Sequence, residues 1–479
     1  MSTTIVKTPT SILRFGHARV DVTPPVGIYH RLWGAARHDQ ATGVHRPLVA
    51  DVLVVAPIDG SAEPFVRANF DFCGLVEGQQ NDLRRALAAA VGVSIDRVVI
   101  AHSHTHSSGW FIPDRFTLPG GDLIQPFLDT VKTTLVGAGH QALTTVDDAS
   151  ILYGVGRCDL AANRDYWDAD LGGYACGFNP DSPADDTLVV AKVVDGSNRL
   201  RLTLVNYGCH PTTLAWDNSL ISPDYVGAMR ETVEAATGVP CVFAQGACGD
   251  LGPRRGFVGD LAVADTNGRQ LGYAALSALT TLTIPRADFV YDGTVVSGAT
   301  LGIWSYHDQD SRRIASASRF SGGTFAIDLP LKPRPVEAEI RADLSRWEST
   351  ESEAAARGDA RGSRDARARA ERSRRWLARL ADIPPGATKV SVGYSVYRLG
   401  DAVWITTGGE PYNVAQVELR RRFPEETILF SPLTGSLEVA YLLPVNRYGA
   451  GLYQEEPSIL APGCLEALVD AISRHVATI

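Results

Sequence analysis

The chain has 479 residues, 45% of them apolar and 21% charged, the composition of an ordinary soluble protein with two domains or one large α/β body. Its formal net charge of −9 leaves no Lys/Arg excess to neutralise phosphates, which excludes a nucleic-acid partner. No apolar run of about 18 residues occurs, so no transmembrane helix and no stable membrane insertion are expected.

In chain order, residues 14–26 read as a strand running into a Pro-Pro turn, 48–57 and 65–75 as buried strands, 77–91 as a helix and 97–101 as a strand. The pattern returns with a strand at 200–207, a helix at 224–237, a strand at 241–245 and a helix at 267–279. This order predicts an α/β fold, mixed sheets layered with helices. Residues 335–382 are dense in Ala, Arg and Glu, with Gly358 and Gly362 near the middle, and predict an inserted helical hairpin. Such a charge-rich pair is expected to be solvated, not to contact an acidic partner. Strands follow at 389–399 and 402–407, and a helix at 462–477. With no repeats and no long linker, residues 1–479 are expected to form a single domain. The N-terminal residues show no charged segment followed by an apolar one, and the seven cysteines are scattered without a CxxC pair. Both point to a cytoplasmic protein with reduced thiols.

Chemistry concentrates at predicted strand ends. Among 11 histidines, His102, His104 and His106 alternate within VVIAHSHTHSSGW. On a continuing strand, alternate side chains share a face, so these imidazoles converge. Imidazole suits Zn²⁺, and a catalytic zinc site uses three protein ligands with a position open for water. One or two of these histidines as ligands, with the third beside them, fits so short a span. His210 in NYGCHPTTL sits where the chain leaves the sheet, as a ligand or as a hydrogen-bonded loop histidine. In FAQGACGDLGPR, Gly246, Gly249 and Gly252 permit close backbone approach, either to hold an oxyanion or to make a tight turn. Glu410 in GGEPYN is an end-of-strand carboxylate, and Tyr441, Tyr448 and Tyr453 are candidate phenols.

The segments VDVTPP, HRPLVADVLVV, SHTHSSG, NYGCHPTTL, FAQGACGDLGP, GGEPYN and AYLLP occur in an order that resembles the neutral (alkaline, non-lysosomal) ceramidases in their N-terminal zinc domain. The resemblance spans nearly the whole chain. It implies one catalytic Zn²⁺ on His104, His210, Glu410 and a phenol, Tyr441 or its neighbour Tyr448. It also implies His106 as the histidine contacting the reacting carbonyl, and leaves the role of His102 open. NRDYW resembles the family's asparagine-arginine segment near the substrate, so Arg164 is a candidate substrate contact, and Arg254 is a second. Two departures stand out. Gly252 occupies the position of a family serine, which argues against ceramide as substrate, and the chain ends without the family's immunoglobulin-like domain.

The implied reaction is hydrolysis of an amide C–N bond in a small or acyl-chain molecule by zinc-activated water. His106 and Tyr441 are candidate oxyanion donors, and His106 or His102 a proton donor to the leaving group, with Asp250 either orienting one of them or serving as a turn residue. An esterase or lactonase on the same site is the first alternative, and a non-catalytic metal-stabilised binding protein the second. A homo-oligomer is compatible with the sequence.

Overall fold

The computed structural model describes residues 4–435 and 439–479. Its first half contains β1 (Thr10–Asp21), β2 (Val49–Ala56), β3 (Phe65–Phe70), α1 (Glu77–Val91), β4 (Val98–His102), α2 (Ile124–Thr144), β5 (Asp147–Arg157), β6 (Thr187–Asp195), β7 (Leu200–Tyr207), α3 (Tyr225–Thr237), β8 (Cys241–Gln245) and α4 (Leu261–Thr280). These strands form one eight-stranded sheet in the order β8-β7-β6-β5-β1-β2-β3-β4. Its two end pairs, β3 with β4 and β7 with β8, are parallel and are crossed by α1 and α3 respectively. The interior pairs are antiparallel.

The second half adds β9 (Phe320–Pro330), α5 (Glu337–Ala356), α6 (Ala360–Asp382), β10 (Lys389–Leu399), β11 (Ala402–Thr407), α7 (Val414–Arg422), β12 (Thr427–Ser431) and α8 (Cys464–Val476). Its sheet runs β9-β10-β11-β12, with β11 and β12 parallel.

Period-two alternation explains how these elements stack. In β2, Val52 and Val54 pack towards α1 and α2, whereas Leu53 and Val55 face the second sheet. That inter-sheet layer includes Leu13, Phe65, Tyr397, Trp404 and Leu429. The helix α8 covers the outer face of the second sheet through Leu465, Leu468 and Ile472. The result is a helix–sheet–sheet–helix stack, a mixed α/β architecture as expected. Each fully buried Leu, Val or Phe contributes about 1.5–3 kcal/mol to holding the layers together.

Several boundaries differ from expectation for local reasons. The first strand ends at Asp21, before the Pro-Pro turn, and β3 ends at Phe70, where the chain bends beneath the next strand end. The last helix of the first half begins at Leu261 because Asp260 caps it, its carboxylate accepting from the Ala262 N–H at 2.9 Å. No expectation covered α2, nor the exposed ribbon formed by residues 287–297 and 299–308. Among the described residues, no helix is long and apolar enough to cross a membrane.

The helical hairpin lies between β9 and β10, which are hydrogen-bonded neighbours, so it is an insertion at a strand connection. It is not uniformly solvated: Ala366, Ala370, Glu371 and Leu380 of α6 are buried. The helix approaches so closely that a Cβ on Gly34 would lie 3.0 Å from the Ala368 Cα. Glycine at position 34 makes that contact possible.

Candidate metal centre

Three strand ends deliver the side chains. His104 follows β4, His210 follows β7 and Glu410 follows β11. In the first sheet β4 is an edge strand and β7 lies next to the opposite edge, yet the edge strand β8 packs against β3 and β4. Accumulated twist curls the sheet until its edges meet, which places the end of β7 beside the end of β4. The second sheet reaches the same place through an Asn206 Nδ2–Phe430 carbonyl hydrogen bond of 3.0 Å.

The local backbone is shaped for this. β4 ends at His102, and His104 takes a left-handed conformation with φ of 69°. That is uncommon for a residue with a side chain, and such strain gathers at functional sites. Its N–H is held by the Phe72 carbonyl at 2.9 Å. Glu410 follows Gly409, whose φ is 75° and whose absent Cβ would meet Leu442 Cδ1 at 2.6 Å.

The two candidate ligand histidines are oriented alike. His104 Nδ1 donates to the Cys73 carbonyl at 2.6 Å, and His210 Nδ1 donates to the Cys248 carbonyl at 2.6 Å. A carbonyl only accepts, so each ring carries a proton on Nδ1 and turns Nε2 towards Glu410, as the nitrogen that a metal would take in place of any proton there. These Nε2 atoms lie 3.4 and 3.0 Å from Glu410 Oε2, and all three donor atoms fall within 4.8 Å of one another. Donors at ~2.0–2.1 Å from a tetrahedral zinc are separated by about 3.3 Å, so the set fits such an ion. Burial alone would raise the Glu410 carboxyl, but His104 and His210 outweigh it and hold it well below the usual carboxylate range. A second donor group, Cys73, His104 and His106, shares His104; its Cys73 Sγ lies 3.6 Å from His104 Nδ1, the nitrogen that the Cys73 carbonyl already engages.

Around this core, His106 Nε2 lies 3.4 Å from His104 Nε2, and its ring rests against Trp33 at 5.2 Å between centroids. Its Nδ1 is buried and has no partner among the described residues. Burial, followed by His104 and His210, lowers its pKa well below the ordinary value, so it is neutral at pH 7. Tyr441 is bridged to Glu410 through a parallel backbone pair, and its ring lies 6.3 Å from that of His210. The Tyr441 hydroxyl accepts from Arg164 Nη2 at 3.1 Å, and the guanidinium sits 5.4 Å from the ring centre. Tyr448 instead donates to the Leu460 carbonyl at 3.2 Å, so of the two phenols Tyr441 faces the centre.

The remaining candidate residues have other surroundings. His102 does not join the cluster. It lies against the Phe70 and Phe72 rings, both of its ring nitrogens are without partners among the described residues, and burial lowers its pKa to about 3. The strand stops at that residue, so the alternation expected of His102, His104 and His106 does not extend through them. The Gly246 N–H is bound to the Tyr207 carbonyl at 2.8 Å and that of Gly249 to Pro411 at 3.0 Å, which removes both as oxyanion donors. Asp250 accepts from the Asn413 N–H at 2.6 Å and orients no histidine; burial raises its pKa to about 6. Arg254 is exposed, 3.5 Å from Asp159 and over the Phe178 ring, with no contact to the histidines. Arg164, buried against Gly249 and Tyr441, is at the site. The roles of Trp33 and of the Cys73 and Cys248 carbonyls carry no sequence signal, because any residue supplies a carbonyl.

A Cβ at Gly252 would meet Thr212 Oγ1 at 3.7 Å and Arg164 Cδ at 4.0 Å, ordinary van der Waals distances. The glycine is therefore not demanded by packing. Gly252→Ser should melt within about 1–2 °C of the parent, as a change without a named destabilising mechanism does. A loss of ten degrees in a thermal scan would show that the position is sterically closed.

No protein-family model and no curated protein matches the sequence. Among solved structures, the chain resembles neutral ceramidase from Pseudomonas aeruginosa, with a TM-score of 0.66 and 15% identity, covering 98% of this chain and 74% of that one. It also resembles a ceramidase complexed with C2, with a TM-score of 0.64 and 15% identity, covering 98% of this chain and 75% of that one. The chain thus has a neutral-ceramidase-like fold, in which its own strand ends assemble a His/His/Glu donor set.

Proposed function

We propose that the chain, as one catalytic domain, is a zinc-dependent hydrolase that cleaves an amide C–N bond of a small or acyl-chain substrate other than ceramide. The observation that carries this reading is the convergence of two Nδ1-protonated histidines and Glu410 on one point, with both Nε2 atoms turned towards it. When bound, zinc polarises a carbonyl and brings the pKa of its water to ~7. His104, His210 and Glu410 hold the ion, and Tyr441 stands beside them. Arg164 fixes the Tyr441 ring from above and at its hydroxyl, so that the phenol faces the reacting carbonyl oxygen. His106, neutral and pinned by Trp33, keeps an unshared ring nitrogen that would accept the proton released by the attacking water and pass it to the leaving amine. The neighbouring ceramidase structures support hydrolysis as the reaction class, and Gly252, without a hydroxyl, supports a different substrate.

A hydrolysis screen of the zinc-loaded protein tests the proposal, with N-acyl amino acids, simple amides, esters, lactones and ceramide in parallel and a chelator control. Amide turnover that the chelator abolishes is the expected result. Turnover confined to esters or lactones would replace the bond assigned here, and efficient ceramide turnover would overturn the weight given to Gly252. His106→Ala should lower kcat by about 10²–10⁴ while full zinc content is retained. Tyr441→Phe should lower it by about 10²–10³. Unchanged kcat in both would remove these residues from the chemistry.

A further inference from the structure

A second cavity, of about 360 Å³, opens where the helical hairpin meets the body. Its walls include Trp376 and Ile383 from the hairpin side and Ile459 from the body, with Lys332 and Arg334 at the rim. None of the three candidate catalytic groups Glu410, His106 and Tyr441 lines it.

The charges around this cavity are unbalanced. Among the described residues, the hydrogen bonds of Lys332 Nζ and Arg334 Nη2 go to backbone carbonyls, that of Glu455 at 2.5 Å and that of Leu380 at 2.9 Å. Arg379 stacks on the Trp376 ring at 5.2 Å. Among the described residues, none of these three cations is within ion-pair distance of a carboxylate, while most arginines of the same hairpin are paired. The carboxylate on the wall, Glu456, is already engaged by Trp376 Nε1 at 2.5 Å and Arg372 at 3.6 Å. Burial lowers the pKa of Lys332 against the pull of the Glu455 and Glu456 charges, and the neighbouring Arg379 charge lowers it further. Two lining cations outside ion-pair distance of a carboxylate, beside apolar walls, form the complement of an anion with an apolar tail. At about 30 Å³ per heavy atom, the volume admits roughly ten such atoms.

We propose that this cavity binds a medium-chain carboxylate, its head on Lys332 and Arg334 and its chain against Trp376, Ile383 and Ile459. The site is separate from the metal centre and does not rest on the hydrolase reading. Glu456 directly follows the short helical turn Tyr453–Glu455, and the Tyr453 ring lies 6.0 Å from that of Tyr441, so an occupant would buttress the same turn that borders the metal centre.

Calorimetric titration of the full-length protein with decanoate and with decanol tests the site. Decanoate should bind saturably at one equivalent, at least tenfold more tightly than decanol. The Lys332→Gln/Arg334→Gln double variant should lose that advantage while decanol affinity is unchanged. Ile383→Trp should block both ligands, with circular dichroism confirming the fold of each variant. His104→Ala should bind decanoate as the parent does. The proposal is overturned by the absence of saturable heat up to millimolar decanoate or by equal affinity for acid and alcohol. Undiminished preference in the double variant, or loss of binding in His104→Ala, which would assign the ligand to the metal centre, overturns it equally.

Discussion

His104→Ala and His210→Ala are each expected to lose bound zinc and hydrolytic activity together while the fold persists. Each imidazole supplies one of three convergent donors, and its Nδ1 is already engaged by a backbone carbonyl, so no rotation of a neighbour can replace it. A site left with one histidine and one carboxylate no longer has the three protein ligands of a catalytic zinc. Losing the ion forfeits several kcal/mol of transition-state stabilisation, about 10³-fold or more in kcat. The fold should survive because both residues lie beyond strand ends and neither holds a layer of the core together. Part of the melting temperature will nonetheless be lost, since an ion bound only by the native state stabilises it by mass action. The informative comparison is therefore between each variant and chelator-stripped parent, which should melt within a few degrees of one another. Elemental analysis of the purified variants decides the ligand assignment: parent-level zinc in both would overturn it.

How much of this centre was legible in the sequence depends on the kind of interaction. His104, His210 and Glu410 stand out because each follows an apolar run that ends in turn residues, a pattern local to a few positions. Their meeting point is not local. It arises because β8 returns against β3 and β4, a consequence of twist summed over eight strands. The misreading of His102 has the opposite origin: period-two alternation holds only while the strand lasts, and β4 ends at that residue. Likewise FAQGACGDLGPR reads as a close backbone approach, which Gly246 and Gly249 make and Gly252 does not, and the amides of the first two pair with Tyr207 and Pro411, partners distant in sequence or in another layer. The helix α2 carries an apolar stripe under β1 and β2 that strand–helix counting passed over. The buried side of α6 was hidden by composition, because an arginine-rich helix looks solvated until its partners are known.

Those partners generate the second large effect. Glu371→Gln is expected to loosen the helical hairpin and make α6 exchange its amide hydrogens about a hundredfold faster near neutral pH. Glu371 is only 2% exposed and receives a bidentate grip from Arg115, with Nη2–Oε1 of 2.7 Å and Nη1–Oε2 of 3.2 Å. Arg375 adds a bond of 2.9 Å from its own helix. Burial alone would raise this carboxyl, yet Arg375 and Arg115 hold it down at about 2. A carboxylate depressed that far below its ordinary value of about 4.3 stabilises the folded state by about 3 kcal/mol. That agrees with the 3–5 kcal/mol typical of leaving one partner of a buried pair alone. Because the folded pKa is the lower one, the stabilisation is complete above about pH 4.5 and disappears as pH falls towards 2. The difference in exchange between parent and variant should therefore shrink over that interval, each pair being compared at one pH. The consequence reaches the metal centre, since Arg375 also binds the Leu32 carbonyl and Trp33 rests on His106. Equal protection of residues 360–382 in parent and variant at pH 7 would mean that the hairpin is held by its apolar contacts alone.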